Sequence, residues 1–120
     1  MKGFVDEAMR ALVPVRVGIP GSSAYTEIVV WVDTAFNGSL VVPRTVADKI
    51  GLVVESTAEA VLADGHTVEL ETFGCTINWL GETYDTQIVT NESEYGLIGT
   101  ALLVDRKITI DYKAKTVSIE

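Results

Sequence analysis

Only one stretch of this chain carries a helical period. In PRTVADKIGL (Pro43 to Leu52) Val46 and Ile50 stand four apart, Pro43 suits a first turn and Gly51 suits a C-terminal cap. The rest consists of short apolar runs broken by turn residues, the pattern of strands rather than helices. ALVPVRVGI reads as a strand closed by the turn PGSS, Pro20–Ser23. TEIVVWV reads as a second strand, apolar enough to be buried on both faces, and SLVVP as a short third. STAEAVLADGHTVELETFGCTINWL reads as a long hairpin turning at Asp64-Gly65, with the alternation of HTVELE placing exposed strands around that turn. LGETYDTQIVT holds a further Gly-centred turn and strand. LIGTALL is a short apolar segment that opens a helical turn near Gly99. KITIDYKAKTVSIE closes the chain as a hairpin in which Ile108, Ile110, Val117 and Ile119 alternate. The expected class is mainly β, a small barrel or sandwich with one or two short helices.

At 120 residues the chain is one domain, 1–120, and 48% apolar content excludes a disordered chain. A net charge of −8 argues against nucleic acid or an anionic membrane surface as partner, since both need clustered Lys and Arg. No segment has the apolar length of a membrane span. MKGFVDEAMR carries early acids and no apolar core, unlike a secretory leader. The single cysteine, Cys75, forms no intramolecular disulfide, so a reducing, cytoplasmic setting is expected. Cys75 reads as a small core hydrophobe. With one cysteine and one histidine, His66, neither a thiol–imidazole pair nor a zinc site is expected, and no other metal or cofactor. Trp31 and Trp79 read as core residues.

The stretch VVWVDTAFNGSLVVP places a carboxylate, Asp33, at the inner end of an apolar strand. Three readings apply. Asp33 can end a strand with an Asx turn. It can open a calcium loop, which fails because Ala35 stands where a second oxygen ligand belongs and no Glu closes the loop. Or it can be a working carboxylate.

Three motifs in order favour the last. WVDTAFNGSLVVP is a hydrophobic strand ending in Asp-Thr-small; VLADGHTVEL is a Gly-tipped hairpin some way on; LIGTALL is a hydrophobic-hydrophobic-Gly motif before a short helix. With the opening MKGFVDEAMRALVPVRV, the helix in VVPRTVADKIGL and the closing ITIDYKAKTVSIE, the chain resembles the retropepsin-like aspartic proteases, in particular their small prokaryotic branch. The resemblance implies a closed retropepsin-like β-barrel acting as a homodimer on peptide or protein substrates. It implies that Asp33, Thr34 and Ala35 form the catalytic loop, with Thr34 bonding across the dimer axis. Ala63, Asp64, Gly65 and His66 would form the tip of a substrate-covering flap. Leu97, Ile98 and Gly99 would brace the catalytic loop.

The chemistry agrees. Peptide hydrolysis by carboxylates needs two that share a proton, one ionised and one protonated. One Asp-Thr-small motif per chain then implies two chains. Two positions depart from the family's pattern: Ala35 where Gly is usual, and Thr100-Ala101 where an Asp or Asn often follows Gly99. The competing expectation is a catalytically silent module of the same fold that binds an extended peptide or partner protein.

Overall fold

A computed structural model describes residues 1–120. Ten strands form one sheet: β1 (Lys2–Val5), β2 (Ala11–Gly18), β3 (Thr26–Val32), β4 (Leu40–Pro43), β5 (Val54–Val61), β6 (Thr67–Trp79), β7 (Glu82–Asn91), β8 (Gly96–Ile98), β9 (Ile108–Asp111) and β10 (Thr116–Ile119). Two helices interrupt them, α1 (Arg44–Ile50) and α2 (Thr100–Leu103). The strand order is β5-β6-β7-β4-β8-β3-β2-β1-β10-β9, and an additional β6–β2 pairing joins two strands distant in that order. Strands β2, β3, β8, β4, β7 and β6 therefore close into a ring. The sheet thus forms a ring, with β5 appended on one side and β1, β10 and β9 on the other.

The long strand β6 makes the closure possible. Its C-terminal half pairs with both β7 and β2, through Thr76, Ile77 and Asn78. Its N-terminal half leaves the ring as a two-stranded ribbon with β5. That ribbon turns at Asp64-Gly65, where Gly65 has φ +89°, a conformation that side chains disfavour. A second tight turn joins β6 to β7 through Leu80 and Gly81, both with positive φ.

Helix α1 forms as its period suggests. Ala47 is fully buried, and Val46 and Ile50 pack against the core. Gly51 ends it with φ +92° and its N–H donates to Ala47 O.

The core fills the ring with alternate residues, among them Val13, Val30, Leu40, Ile77, Trp79 and Ile98. Trp79 is 1% exposed, and its indole N–H donates to Leu102 O at 2.9 Å, tying α2 to the ring. The other sheet face carries a second apolar row. Phe4, Leu12, Trp31, Leu97, Val41 and Val89 stand in register across β1, β2, β3, β8, β4 and β7.

Two expectations are corrected here. TEIVVWV is not buried on both faces: Val30 and Val32 face the core, whereas Trp31 is 41% exposed. Strand alternation decides this, because β3 has only one face toward the ring interior. Trp31 is consequently not a core residue, while Trp79 is. Strand β1, within the opening MKGFV, was not apparent in the apolar pattern because only Val5 of its four residues is buried.

Candidate active site

Strand β3 sets the position of Asp33. With Val30 and Val32 in the core, the alternation sends Trp31 and Asp33 to the opposite face. The ladder continues one residue past the strand, since Asp33 N–H donates to Ile98 O at 3.0 Å. The chain then turns. Asp33 Oδ1 accepts the Ala35 N–H at 3.0 Å, and Asp33 O accepts the Phe36 N–H at 3.2 Å. The Asx turn expected at this strand end is therefore present. Asp33 is half-buried, and Thr34 and Ala35 are exposed at the turn. Ala35 keeps a negative φ, so its methyl group adds no backbone strain and its amide still points at the carboxylate.

A second segment holds this loop from beneath. Gly99 N–H donates to Ser39 O at 2.9 Å, Thr100 N–H to Phe36 O at 2.8 Å and Ala101 N–H to Gly38 O at 3.2 Å. The Thr100 hydroxyl adds a bond to Phe36 O at 3.3 Å. Gly99 is required by proximity: a Cβ there would lie 2.2 Å from Gly38 O and 2.5 Å from Phe36 Cδ2. Ile98 is fully buried in the core. Leu97, its neighbour, faces the other way and lies beside Asp33.

Trp31, Val32, Asp33 and Leu97 line a depression of about 240 Å³. A second depression of about 220 Å³ shares Trp31 and Leu97 and extends to Arg10 and Tyr95. The Arg10 guanidinium stacks on Tyr95 at 4.6 Å and on Trp31 at 5.8 Å, within cation–π range. Its Nε donates to Asp6 Oδ2 at 2.7 Å. Partial burial pushes the Asp6 carboxyl up, but the hydrogen bonds and charge of Arg10 outweigh it and hold the group below the ordinary carboxylate value. Trp31, Arg10 and Tyr95 were not singled out from the sequence as site residues. Trp31 carried a usable signal, being two residues before Asp33 on a strand and so on its face; Arg10 and Tyr95 are joined to it only by folding.

The hairpin tip shares no hydrogen bond with the Asp33 loop. Its hydrogen bonds stay within the turn: Leu62 N–H to His66 O, Gly65 N–H to Leu62 O, and His66 N–H to Asp64 Oδ1. The His66 ring lies 2.8 Å from Asp64 Oδ2. These contacts, the backbone N–H of His66 foremost, hold the Asp64 carboxyl below its ordinary value. Ala63 to His66 are all exposed. Cys75 lies in the core, where burial pushes its thiol up to about 11. Its Sγ donates to Thr76 O at 3.6 Å, and no hydrogen bond joins it to His66 or Asp33. No three His, Cys, Asp or Glu side chains gather in a metal-binding cluster. No helix is long and apolar enough to cross a membrane.

One carboxylate beside an apolar depression can accept a proton, but it cannot by itself supply the second, protonated carboxyl of a proton-sharing pair. Solved structures share the chain's fold. A retropepsin-like aspartic protease from Rickettsia conorii matches with TM-score 0.62, 16% identity, 98% of this chain and 86% of that one. The chain has the retropepsin fold. EIAV protease, solved with the inhibitor HBY-793, matches this retropepsin fold with TM-score 0.57 and 17% identity over 83% of this chain and 90% of that one. Simian foamy virus (mac) protease matches with TM-score 0.52 and 14% identity over 76% and 91%. No protein-family model and no curated protein matches the chain.

Proposed function

We propose that this retropepsin-fold chain is an aspartic endopeptidase whose active form is a homodimer, with Asp33 of each subunit forming the catalytic pair. The observation that carries the proposal is the loop itself. Asp33 ends a strand of a retropepsin fold, accepts the Ala35 amide on one carboxylate oxygen, and is fixed to Ile98 through its own N–H.

In this reading the two carboxyls share one proton. The ionised one takes a proton from a water as that water attacks the scissile carbonyl carbon. The protonated one gives its proton to the carbonyl oxygen as the new C–O bond forms. The resulting tetrahedral diol collapses with proton transfer to the leaving nitrogen, and the C–N bond breaks. Such positioned proton transfers supply on the order of 10²–10⁴ each. The pair titrates as one unit, so its two pKa values belong to the dyad. Thr34, exposed beside Asp33, would bond across the two-fold axis.

The substrate would lie extended over Trp31 and Leu97, with an apolar side chain in the depression next to Asp33. The hairpin from Ala63 to His66 would close over it and exclude water. No cofactor enters the chemistry. We place the enzyme in the cytoplasm, where its buried single cysteine needs no oxidant.

The test compares the wild type with Asp33→Asn on a peptide library and on an unfolded protein from acid to neutral pH. Asn keeps the oxygen that accepts the Ala35 amide, so the fold is expected to melt unchanged while cleavage disappears. A statine-type peptide is expected to inhibit the wild type. Equal cleavage by both proteins would remove Asp33 from the mechanism.

A further inference from the structure

Two dipeptides in this chain set a short carboxamide or carboxyl side chain directly before glycine, Asn37-Gly38 and Asp64-Gly65. In such a pair the glycine nitrogen can attack the side-chain carbonyl carbon and close a five-membered imide, because no Cβ crowds the approach. The fold treats the two pairs differently. At Asp64-Gly65 the reacting groups are tied up. Gly65 N–H donates to Leu62 O at 2.9 Å, and the two Asp64 carboxylate oxygens meet the N–H and the ring of His66.

At Asn37-Gly38 the same groups are free. Asn37 is exposed in an irregular segment between β3 and β4. The hydrogen bonds of this loop run through Asp33, Ala35, Phe36, Gly38 O and Ser39 O, and none engages the Asn37 side chain or the Gly38 N–H. The other two asparagines are poorer candidates. Asn78 lies within β6 before the bulky Trp79, and the Asn91 carboxamide is held at both ends, by Tyr95 O and by the Ser93 N–H.

Packing also keeps a glycine at 38. A Cβ there would lie 2.5 Å from Phe36 Cζ and 2.7 Å from Phe36 Cε1, while one at Gly99 would lie 2.5 Å from Phe36 Cδ2. The Phe36 ring thus rests against both glycines, and the close approach that braces the Asp33 loop leaves Asn37 with the least hindered neighbour.

We propose that Asn37 is a self-modification site, converting to isoaspartate with time and loosening the loop that carries Asp33. Hydroxide takes the Gly38 N–H proton, the nitrogen bonds to Asn37 Cγ, and Nδ2 leaves as ammonia, taking a proton from water and restoring the hydroxide. Water then opens the imide. Breaking the bond from nitrogen to Cγ leaves aspartate. Breaking the bond from nitrogen to the main-chain carbonyl carbon leaves isoaspartate, with the chain running on through Cγ. One water is consumed and one ammonia released. Either product adds a negative charge, but only isoaspartate lengthens the main chain, by one methylene just before Gly38. The next two carbonyls, Gly38 O and Ser39 O, hold the Ala101 and Gly99 amides, so the added carbon shifts them against α2. This chemistry belongs to the chain itself and stands whether or not Asp33 cleaves peptides.

Folded wild type, Asn37→Gln and Asn37→Asp are aged at mildly alkaline and mildly acidic pH, then read by isoelectric focusing, by peptide mapping with isoaspartyl methyltransferase and by amide exchange. Gln closes a six-membered imide far more slowly. The expected result is an acidic shift of the wild type that grows with time and with hydroxide, isoaspartate at residue 37 and not at 64, 78 or 91, and loss of protection at the Gly99 and Ala101 amides. Aged Asn37→Gln is expected to keep its charge and its protection. Fresh Asn37→Asp is expected to keep its protection, since it adds the charge without lengthening the chain; loss there would overturn the part given to the added carbon. A wild type that shifts only when unfolded in urea would show that the folded loop shields Asn37 and would overturn the proposal. Equal modification at Asn78 or Asn91 would do the same. Isoaspartate at residue 37 with Gly99 and Ala101 still protected would overturn its link to the Asp33 loop.

Discussion

Replacing Gly99 by Ala tests whether the loop that carries Asp33 is held by close backbone contact. The added Cβ would lie 2.2 Å from Gly38 O, 2.5 Å from Phe36 Cδ2 and 2.6 Å from Phe36 O. Ordinary carbon–oxygen contacts begin near 3.3 Å, so these groups must retreat by about 1 Å. They are not free to do so. Gly38 O holds the Ala101 amide and Phe36 O holds the Thr100 amide and hydroxyl. Losing two such bonds at about 1 kcal/mol each, with about 1–3 kcal/mol of overpacking, gives roughly 3–5 kcal/mol. At about 3–5 °C per kcal/mol for a domain of this size, the midpoint should fall by roughly 10–20 °C. Gly99 has φ −107°, so the whole effect comes from contact, not from backbone conformation. Gly51 is the converse case, with open space but φ +92°, and Gly51→Ala should cost only about 1–2 kcal/mol. Calorimetry on the two variants checks the ranking. Amide exchange should show Thr100 and Ala101 unprotected in Gly99→Ala alone. A Gly99→Ala midpoint within about 2 °C of wild type would refute the reasoning.

Trp79→Phe leaves Leu102 O without its donor in a site that is 1% exposed, and should cost about 3–4 kcal/mol in urea unfolding; a loss under about 1 kcal/mol would contradict it. Cys75, its thiol pushed up to about 11 by burial, should resist alkylation at pH 8 until denaturant is added; fast labelling of the native protein would contradict its placement. The Asp64 carboxyl should titrate below the ordinary carboxylate value, as read by carbon NMR. Because the folded value is depressed, the turn's contribution to stability is present above the unfolded pKa and lost as pH falls through the folded one. His66→Ala should move the midpoint part of the way back up, since the backbone N–H bond, the larger cause, survives; no movement would show that the ring plays no part.

The sequence was most legible where a single local rule decides. The 3.6-residue spacing and Gly51 placed α1, Asp64-Gly65 placed the long turn, and alternation placed the β9–β10 hairpin. The Asp33 loop was legible as Asp-Thr-small at a strand end, and the bond from Ala35 N–H to Asp33 shows why Ala is accommodated there. What stayed hidden depends on partners far along the chain. An apolar run such as TEIVVWV does not reveal whether one face or two will be covered, and Trp31 proved to be on the open face. Arg10, Tyr95 and Trp31 are distant in sequence and meet because β3 pairs antiparallel with β2 on one side and in parallel with β8 on the other. The ring closure likewise depends on β6 being long enough to pair with β2 and β7 at one end and β5 at the other, which no residue pattern announces.

The central claim is that one active site contains two Asp33 carboxyls from two chains. Wild-type and Asp33→Asn chains, unfolded together and refolded at a fixed total concentration, test it by the dependence of peptide cleavage on the wild-type fraction. If only dimers with two intact carboxyls cleave, activity follows the square of that fraction, so an equal mixture retains about a quarter of the full rate, by random pairing of subunits in a two-fold dimer. A linear dependence, with an equal mixture keeping half the rate, would contradict the account, because each chain would then carry a complete site.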